Sequence, residues 1–71
     1  MNLIPQNPTR AYRLREKAWR MRVTHAEIAR QLGKSRSWVS QVLNEHEESE
    51  PLLDRIEEYL DEKAGEFSLA A

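Results

Sequence analysis

The 71-residue chain contains no cysteine, two glycines and only five aromatic residues. Without cysteine it can form neither disulfides nor cysteine-ligated zinc sites, and it suits the reducing cytoplasm. Two glycines are too few for a glycine-rich loop that cradles phosphates. No apolar run approaches the roughly 20 residues that a membrane span needs. We therefore expect one small cytoplasmic domain, without a membrane segment, whose stability depends on a packed core.

Groups that could carry catalysis are also scarce. His25 and His46 are the only histidines, they lack the spacing of a zinc site, and neither stands beside a serine as a base. Four carboxylates recur at helical spacing, which is typical of a solvated helix face: Asp54, Glu57, Glu58 and Asp61. The sequence thus predicts no enzyme, no metal and no cofactor.

Charge is divided unevenly along the chain. Residues 1–43 carry nine lysines and arginines against two acids, a net +7, whereas residues 44–71 carry two against ten, a net −8. The basic half favours a polyanionic partner such as nucleic acid. Four acids that open the second half would repel phosphate and are expected to form a solvated linker: Glu45, Glu47, Glu48 and Glu50.

The first helix is predicted from about residue 9 to residue 21, after a flexible arm at 1–8. Its apolar stripe recurs every three or four residues, at Ala11, Leu14, Ala18 and Met21. We expect Trp19 to join the core. One flank is wholly basic and is interpreted as a solvated rim or as a set of phosphate contacts: Arg10, Arg13, Lys17 and Arg20.

An acidic C-terminal helix is predicted at 51–64, with Pro51 in its first turn, Gly65 as its stop and residues 66–71 as a tail. Its apolar side either closes the core or forms a dimer contact, through Leu53, Ile56, Tyr59, Leu60 and Phe67. No segment alternates like a strand. The predicted fold is all-α, a small bundle of about four helices over residues 9–65.

Residues 24–44 predict two short helices joined by a tight turn. Thr24 and Glu27 form a capping box, Gly33 suits a left-handed helix end, and Ser35 caps the second helix. The apolar positions that would bury one side of both helices are Ile28, Ala29, Leu32, Val39, Val42 and Leu43.

The spacing of Ala29, Gly33 and Val39 resembles the helix-turn-helix of phage-repressor and Cro-like regulators. The stretch from Glu27 to Ser40 is also similar to the DNA-binding segment of ParB-type partition proteins. The resemblance implies a sequence-specific regulator of transcription, a repressor of phage or mobile-element type. Such a protein inserts helix 36–44 into the major groove of double-stranded DNA, acts as a homodimer, and lies on the nucleoid when bound.

Site residues follow from the outward positions of the motif. The predicted base-facing residues are Arg36, Ser37, Ser40 and Gln41. The predicted phosphate contacts are Thr24, His25, Lys34, Ser35 and Asn44. We expect Trp38 to pack sideways against the C-terminal helix rather than to contact DNA.

Two other functions stay open at this point. The first is a DNA partition or recombination accessory protein that uses the same motif. The second, from a different class, is a protein-interaction adaptor that uses the acidic C-terminal helix and keeps the motif for structure alone.

Overall fold

Four helices make up most of the computed structural model, which describes the backbone of residues 9–70 and the side chains of residues 9–65. They are α1 (Arg10–Arg20), α2 (His25–Leu32), α3 (Arg36–Leu43) and α4 (Glu50–Ala70). No strand occurs within this range. The protein is thus a small all-α bundle, as the sequence predicts, while the predicted arm at 1–8 lies outside the described residues.

Each helix is capped at its N-terminus by the hydroxyl group of a serine or threonine. Thr9, Thr24 and Ser35 each accept a hydrogen bond from the backbone N–H three residues later, over 3.1, 3.1 and 3.0 Å. Ser49 accepts one from Leu52 over 3.3 Å at the start of α4. These bonds satisfy N–H groups that have no partner within their own helix. The caps predicted at Thr24 and Ser35 are confirmed.

The first three helices end in one backbone motif, with a left-handed residue followed by an N–H that bonds five residues back. The left-handed residues are Arg22 (φ 61°), Gly33 (φ 69°) and Glu45 (φ 65°). The closing bonds are Val23 to Ala18 (2.8 Å), Lys34 to Ala29 (2.9 Å) and His46 to Gln41 (2.8 Å). Because only glycine adopts this conformation without strain, the sequence signals just one of these ends, at Gly33.

Among the described residues the core is entirely apolar, and α4 packs against all three other helices. Leu53, Ile56 and Leu60 of α4 are buried within it. These three residues therefore close the core of a single chain and are not exposed for a dimer contact. Tyr59 packs at the edge of the core, and the side chain of Phe67 lies outside the described residues. The remaining core side chains are Ala11, Leu14, Ala18, Val23, Ile28, Ala29, Val39, Val42, Leu43 and Leu52.

The sequence predictions for Trp19 and Gly65 are wrong. Trp19 is 76% exposed rather than buried, because it lies about 100° around the helix from Ala18, off the stripe that enters the core. Gly65 does not end α4, which continues through Ala70. A glycine in helical conformation costs a helix only about 1 kcal/mol relative to alanine, and no proline follows to stop it. Trp38 is half-buried and packs against the core.

Ion pairs join α1 to the acidic helix. Arg10 contacts Glu50 (2.9 Å), Asp54 (2.6 Å) and Glu57 (2.6 Å), and Lys17 pairs with Asp61. The carboxylates, Glu57 foremost, raise the pKa of Arg10. Arg10 and Lys17 are therefore neither simply solvated nor directed at phosphate. Likewise, three of the four carboxylates predicted as a solvated face are engaged within the chain.

A second polar contact links α2 to α4. The Glu27 carboxylate does not complete the predicted capping box; it accepts a hydrogen bond from the Tyr59 hydroxyl (2.5 Å) and pairs with Lys63 (3.1 Å). The hydroxyl and the ammonium group lower the pKa of Glu27. None of the helices within the described range is both long and apolar enough to cross a membrane.

Candidate nucleic-acid interface

The outer side of α3 forms a shallow polar cleft. Because Val39, Val42 and Leu43 are buried in the core, the opposite side of this short helix must face outward. All the residues that line the cleft are exposed except Ser40, which is half-buried. They are Arg36, Ser37, Ser40, Gln41, Asn44 and His46. The four residues predicted to face bases thus lie on one surface, and His46 joins them without having been predicted.

His25 connects this surface to α2. It is the first residue of α2, and its Nδ1 lies 2.8 Å from Oγ of Ser40, so the two side chains share a hydrogen bond. His25 is half-buried and makes no other side-chain hydrogen bond with a described residue. The bond joins the start of α2 to the middle of α3 and involves only one of the two ring nitrogens of His25.

The surroundings of His25 favour its neutral form. Burial lowers its pKa below the usual 6.5, and the positive charges of Arg36 and Arg15 lower it further. A neutral imidazole carries one N–H donor and one acceptor nitrogen. At neutral pH, His25 can therefore exchange a hydrogen bond with Ser40 and still present a polar atom outward.

Arg15 of α1 reaches the end of α3. Its Nη1 donates to Oδ1 of Asn44 (2.9 Å) and to the Leu43 carbonyl (3.5 Å), and its guanidinium lies 5.2 Å from the centre of the Tyr12 ring. A cation suits this position because the last carbonyls of a helix lack partners within it. The amide oxygen of Asn44, a predicted phosphate contact, is thereby occupied, and its NH₂ group remains the donor.

The other predicted phosphate contacts lie at the starts of α2 and α3. Thr24 and Ser35 use their hydroxyl oxygens as caps, but each O–H can still donate to an outside acceptor. Lys34 is exposed in the three-residue turn between the two helices. Helix N-termini favour anions because their N–H groups and dipoles point outward.

The positive charges near α3 differ from those near α4. Arg15, Arg22 and Arg36 form no ion pair with any residue that the structure describes, whereas Arg10 and Lys17 are bound to carboxylates of α4. The guanidinium groups of Arg15, Arg22 and Arg36 are therefore not neutralised by an ion pair with a described residue. Their charge suits a polyanion.

Sequence reasoning missed the contributions of Arg15, His46 and Arg22 to this region. The contact between Arg15 and Asn44 joins residues 29 positions apart, and that between His25 and Ser40 joins residues 15 positions apart. A local sequence pattern therefore predicts neither contact. The sequence places alternately aromatic and basic residues on one flank of α1, at Tyr12, Arg15, Trp19 and Arg22, and shows no comparable pattern around His46.

The protein therefore belongs to the class of small all-α bundles and carries a polar surface with an exposed arginine along α3. No protein-family model matches the chain, and neither the curated proteins nor the solved structures provide a match.

Proposed function

We propose that the protein is a sequence-specific double-stranded DNA-binding regulator of transcription, with α2 and α3 as a helix-turn-helix. The observation that carries the proposal is the exposed polar side of α3, continuous with the start of α2 and free of acidic side chains. An α-helix of this kind fits the major groove of B-DNA, where base edges present distinct donor and acceptor patterns.

Base recognition in this proposal comes from the first two turns of α3. The forked guanidinium of Arg36 matches O6 and N7 of guanine, and the Gln41 amide matches N6 and N7 of adenine. Ser37 is small enough to allow close approach. Ser40 is oriented by His25, so it acts as a constrained rather than a freely rotating contact.

Backbone contacts in this proposal come from the helix starts and the turn. Thr24, His25 and Ser35 lie where N–H groups and dipoles attract phosphate, and Lys34 adds a charge between them. The Asn44 amide would donate to phosphate at the far end of α3. These contacts position α3 in the groove and carry no sequence information of their own.

A single short helix reads only part of a helical turn, so useful specificity calls for two copies on a two-fold site, with half-sites about 34–36 Å apart. We propose a homodimer for this reason. Since Leu53, Ile56 and Leu60 are buried, the dimer contact would use another surface. Of the residues predicted for it, Phe67 remains a candidate.

The proposed mode of action is repression, in which the protein occupies an operator in the cytoplasm. A partition or recombination accessory protein would use the same surface and differ in the arrangement of its sites. The adaptor hypothesis is less well supported, because Arg10 and Lys17 already bind several carboxylates that an adaptor would offer to a partner.

Binding of a fluorescent duplex at a series of salt concentrations tests the proposal. We expect log K to fall linearly with log salt, since each phosphate contact releases a counterion. Arg36→Ala should weaken binding, whereas Arg55→Ala, which removes the same charge from an exposed position of α4, should not. Equal effects of the two substitutions, or no binding by the wild type, would contradict the proposal.

A further inference from the structure

A second surface adjoins the α3 cleft at the end of α1. Trp19 is 76% exposed and lies in a surface groove with Arg15, Arg22, Thr24 and His25. Trp19 is the only large apolar side chain that is exposed among the described residues, and tryptophan suits an interface because it combines a broad apolar ring with an N–H donor. The core does not use this tryptophan, and neither does the recognition surface described above.

The groove is continuous with the proposed DNA interface at two points. Arg15, which lines the groove, donates to Asn44 at the edge of the α3 cleft (2.9 Å). His25, which also lines it, is bonded to Ser40 inside the cleft (2.8 Å). The groove therefore adjoins the side of α3 on which a duplex would lie in the proposed function.

The charge of the groove fits the same partner. Its lining includes two arginines, Arg15 and Arg22, and one carboxylate, Glu16. Neither arginine forms an ion pair with a described residue, so both guanidinium groups can receive an anion. The start of α2, at Thr24 and His25, adds outward N–H groups at the same place.

We propose that Trp19, Arg15 and Arg22 form a second contact with the same DNA, on the sugar-phosphate backbone beside the site read by α3. The indole Nε1–H of Trp19 is a donor without acceptor capacity, which suits a phosphate oxygen, while the ring packs on deoxyribose. The arginines bind the adjoining phosphates. This inference rests on the proposed function and extends the interface from α3 to α1.

The first test follows the fluorescence of Trp19 in a Trp38→Phe variant, which keeps an aromatic ring at the half-buried position and leaves one tryptophan. The probe is a mixed-sequence duplex about two helical turns long. We expect DNA to shift the emission and to shield Trp19 from iodide quenching. Unchanged emission and quenching at saturating DNA would overturn the inference while leaving the proposed function intact.

The second test removes a charge without weakening the fold. Arg22 is in the left-handed conformation, so Arg22→Gly relieves strain and any loss of binding cannot be ascribed to unfolding. Losing one phosphate contact lowers the magnitude of the slope of log K against log salt by about 0.9. The ratio of wild-type to Arg22→Gly affinity should therefore fall about 3.5-fold between roughly 50 and 200 mM salt. The control is Arg20→Ala, on α1 but in a different groove, beside Lys17 and Ala64.

The outcomes separate the two proposals. A wild-type protein that binds no duplex removes both the proposed function and this inference. A wild-type protein that binds DNA with the same salt slope as Arg22→Gly removes the inference alone. If Trp19→Ala changes the sedimentation of the protein without DNA and leaves its DNA affinity unchanged, the groove binds a second copy of the chain and the inference is wrong.

Discussion

Two reciprocal substitutions test whether α1 and α2 both end in a residue with left-handed backbone conformation. Arg22 and Gly33 occupy the same left-handed position after α1 and α2, with φ of 61° and 69°. A non-glycine residue there costs about 1–2 kcal/mol, while glycine loses about 0.5–1 kcal/mol more on ordering from the unfolded chain. Arg22→Gly should therefore stabilise the fold by about 0.5–1 kcal/mol, and Gly33→Ala should destabilise it by a similar amount.

At both sites the change in backbone conformational energy can be measured without a contribution from steric clashes or lost ion pairs. A Cβ added at Gly33 meets no atom within 4 Å, so the cost of Gly33→Ala is backbone strain and not a clash. Arg22 is exposed and forms no ion pair with a described residue, so Arg22→Gly removes no such contact.

Thermal unfolding followed by circular dichroism measures both effects. For a domain of this size we expect the melting temperature to rise by about 2–8 °C for Arg22→Gly and to fall by a similar amount for Gly33→Ala. If both substitutions shifted it in the same direction, the assignment of a shared left-handed helix end would be refuted.

Three further predictions concern the core, the link between α2 and α4, and the titration of His25. Ile56→Ala should cost about 2–5 kcal/mol in urea unfolding, because Ile56 is wholly buried; a cost below about 1 kcal/mol would contradict its place in the core. Tyr59→Phe should cost about 1 kcal/mol at neutral pH, and the cost should shrink in acid as Glu27, whose pKa is lowered, becomes protonated and accepts a weaker hydrogen bond; a cost independent of pH would refute the hydrogen bond to a carboxylate. His25 has a folded pKa below 6.5, so the unfolded chain binds more protons and stability should fall as the pH drops below 6.5, an effect that His25→Gln should abolish. DNA affinity should change in the opposite direction over the same range, since a bound phosphate favours the imidazolium; a parallel fall in affinity would argue against phosphate at His25.

Local interactions made part of the fold predictable. The caps at Thr24 and Ser35 and the left-handed end at Gly33 each depend on a side chain and on backbone within a few residues, so the sequence displays them directly. Arg22 and Glu45 adopt the same conformation as Gly33 without its chemistry. Neither side chain favours the left-handed conformation, so local propensity does not predict the ends of α1 and α3.

Tertiary packing decided the rest of the fold. Leu53, Ile56 and Leu60 suited either a core or a dimer contact until the positions of α1, α2 and α3 were known. The prediction that Trp19 is buried is wrong because its position off the apolar stripe of α1, and not its apolar character, decides its exposure. The pairing of Arg10 with carboxylates at least 40 residues away was visible in sequence only as two blocks of opposite charge.

The candidate site also contains one part that the sequence predicts and one part that depends on tertiary packing. The outward positions of Arg36, Ser37 and Gln41 follow from helical periodicity once Val39 and Val42 are taken as buried, and the structure has this arrangement. The bonds of His25 to Ser40 and of Arg15 to Asn44 join different helices and required the three-dimensional fold. These bonds engage the Ser40 hydroxyl and the Asn44 amide oxygen, two groups that helical periodicity alone would leave free to contact DNA.

Selection from a randomised duplex library, followed by binding to single-base variants of the selected site, tests the central claim most directly. We expect the wild type to enrich a two-fold site containing a guanine in each half. Arg36→Ala should weaken binding to it by about 1–3 kcal/mol and lose discrimination at that guanine. Failure to enrich any sequence, or an equal loss by Arg36→Ala on every single-base variant, would contradict sequence reading by α3.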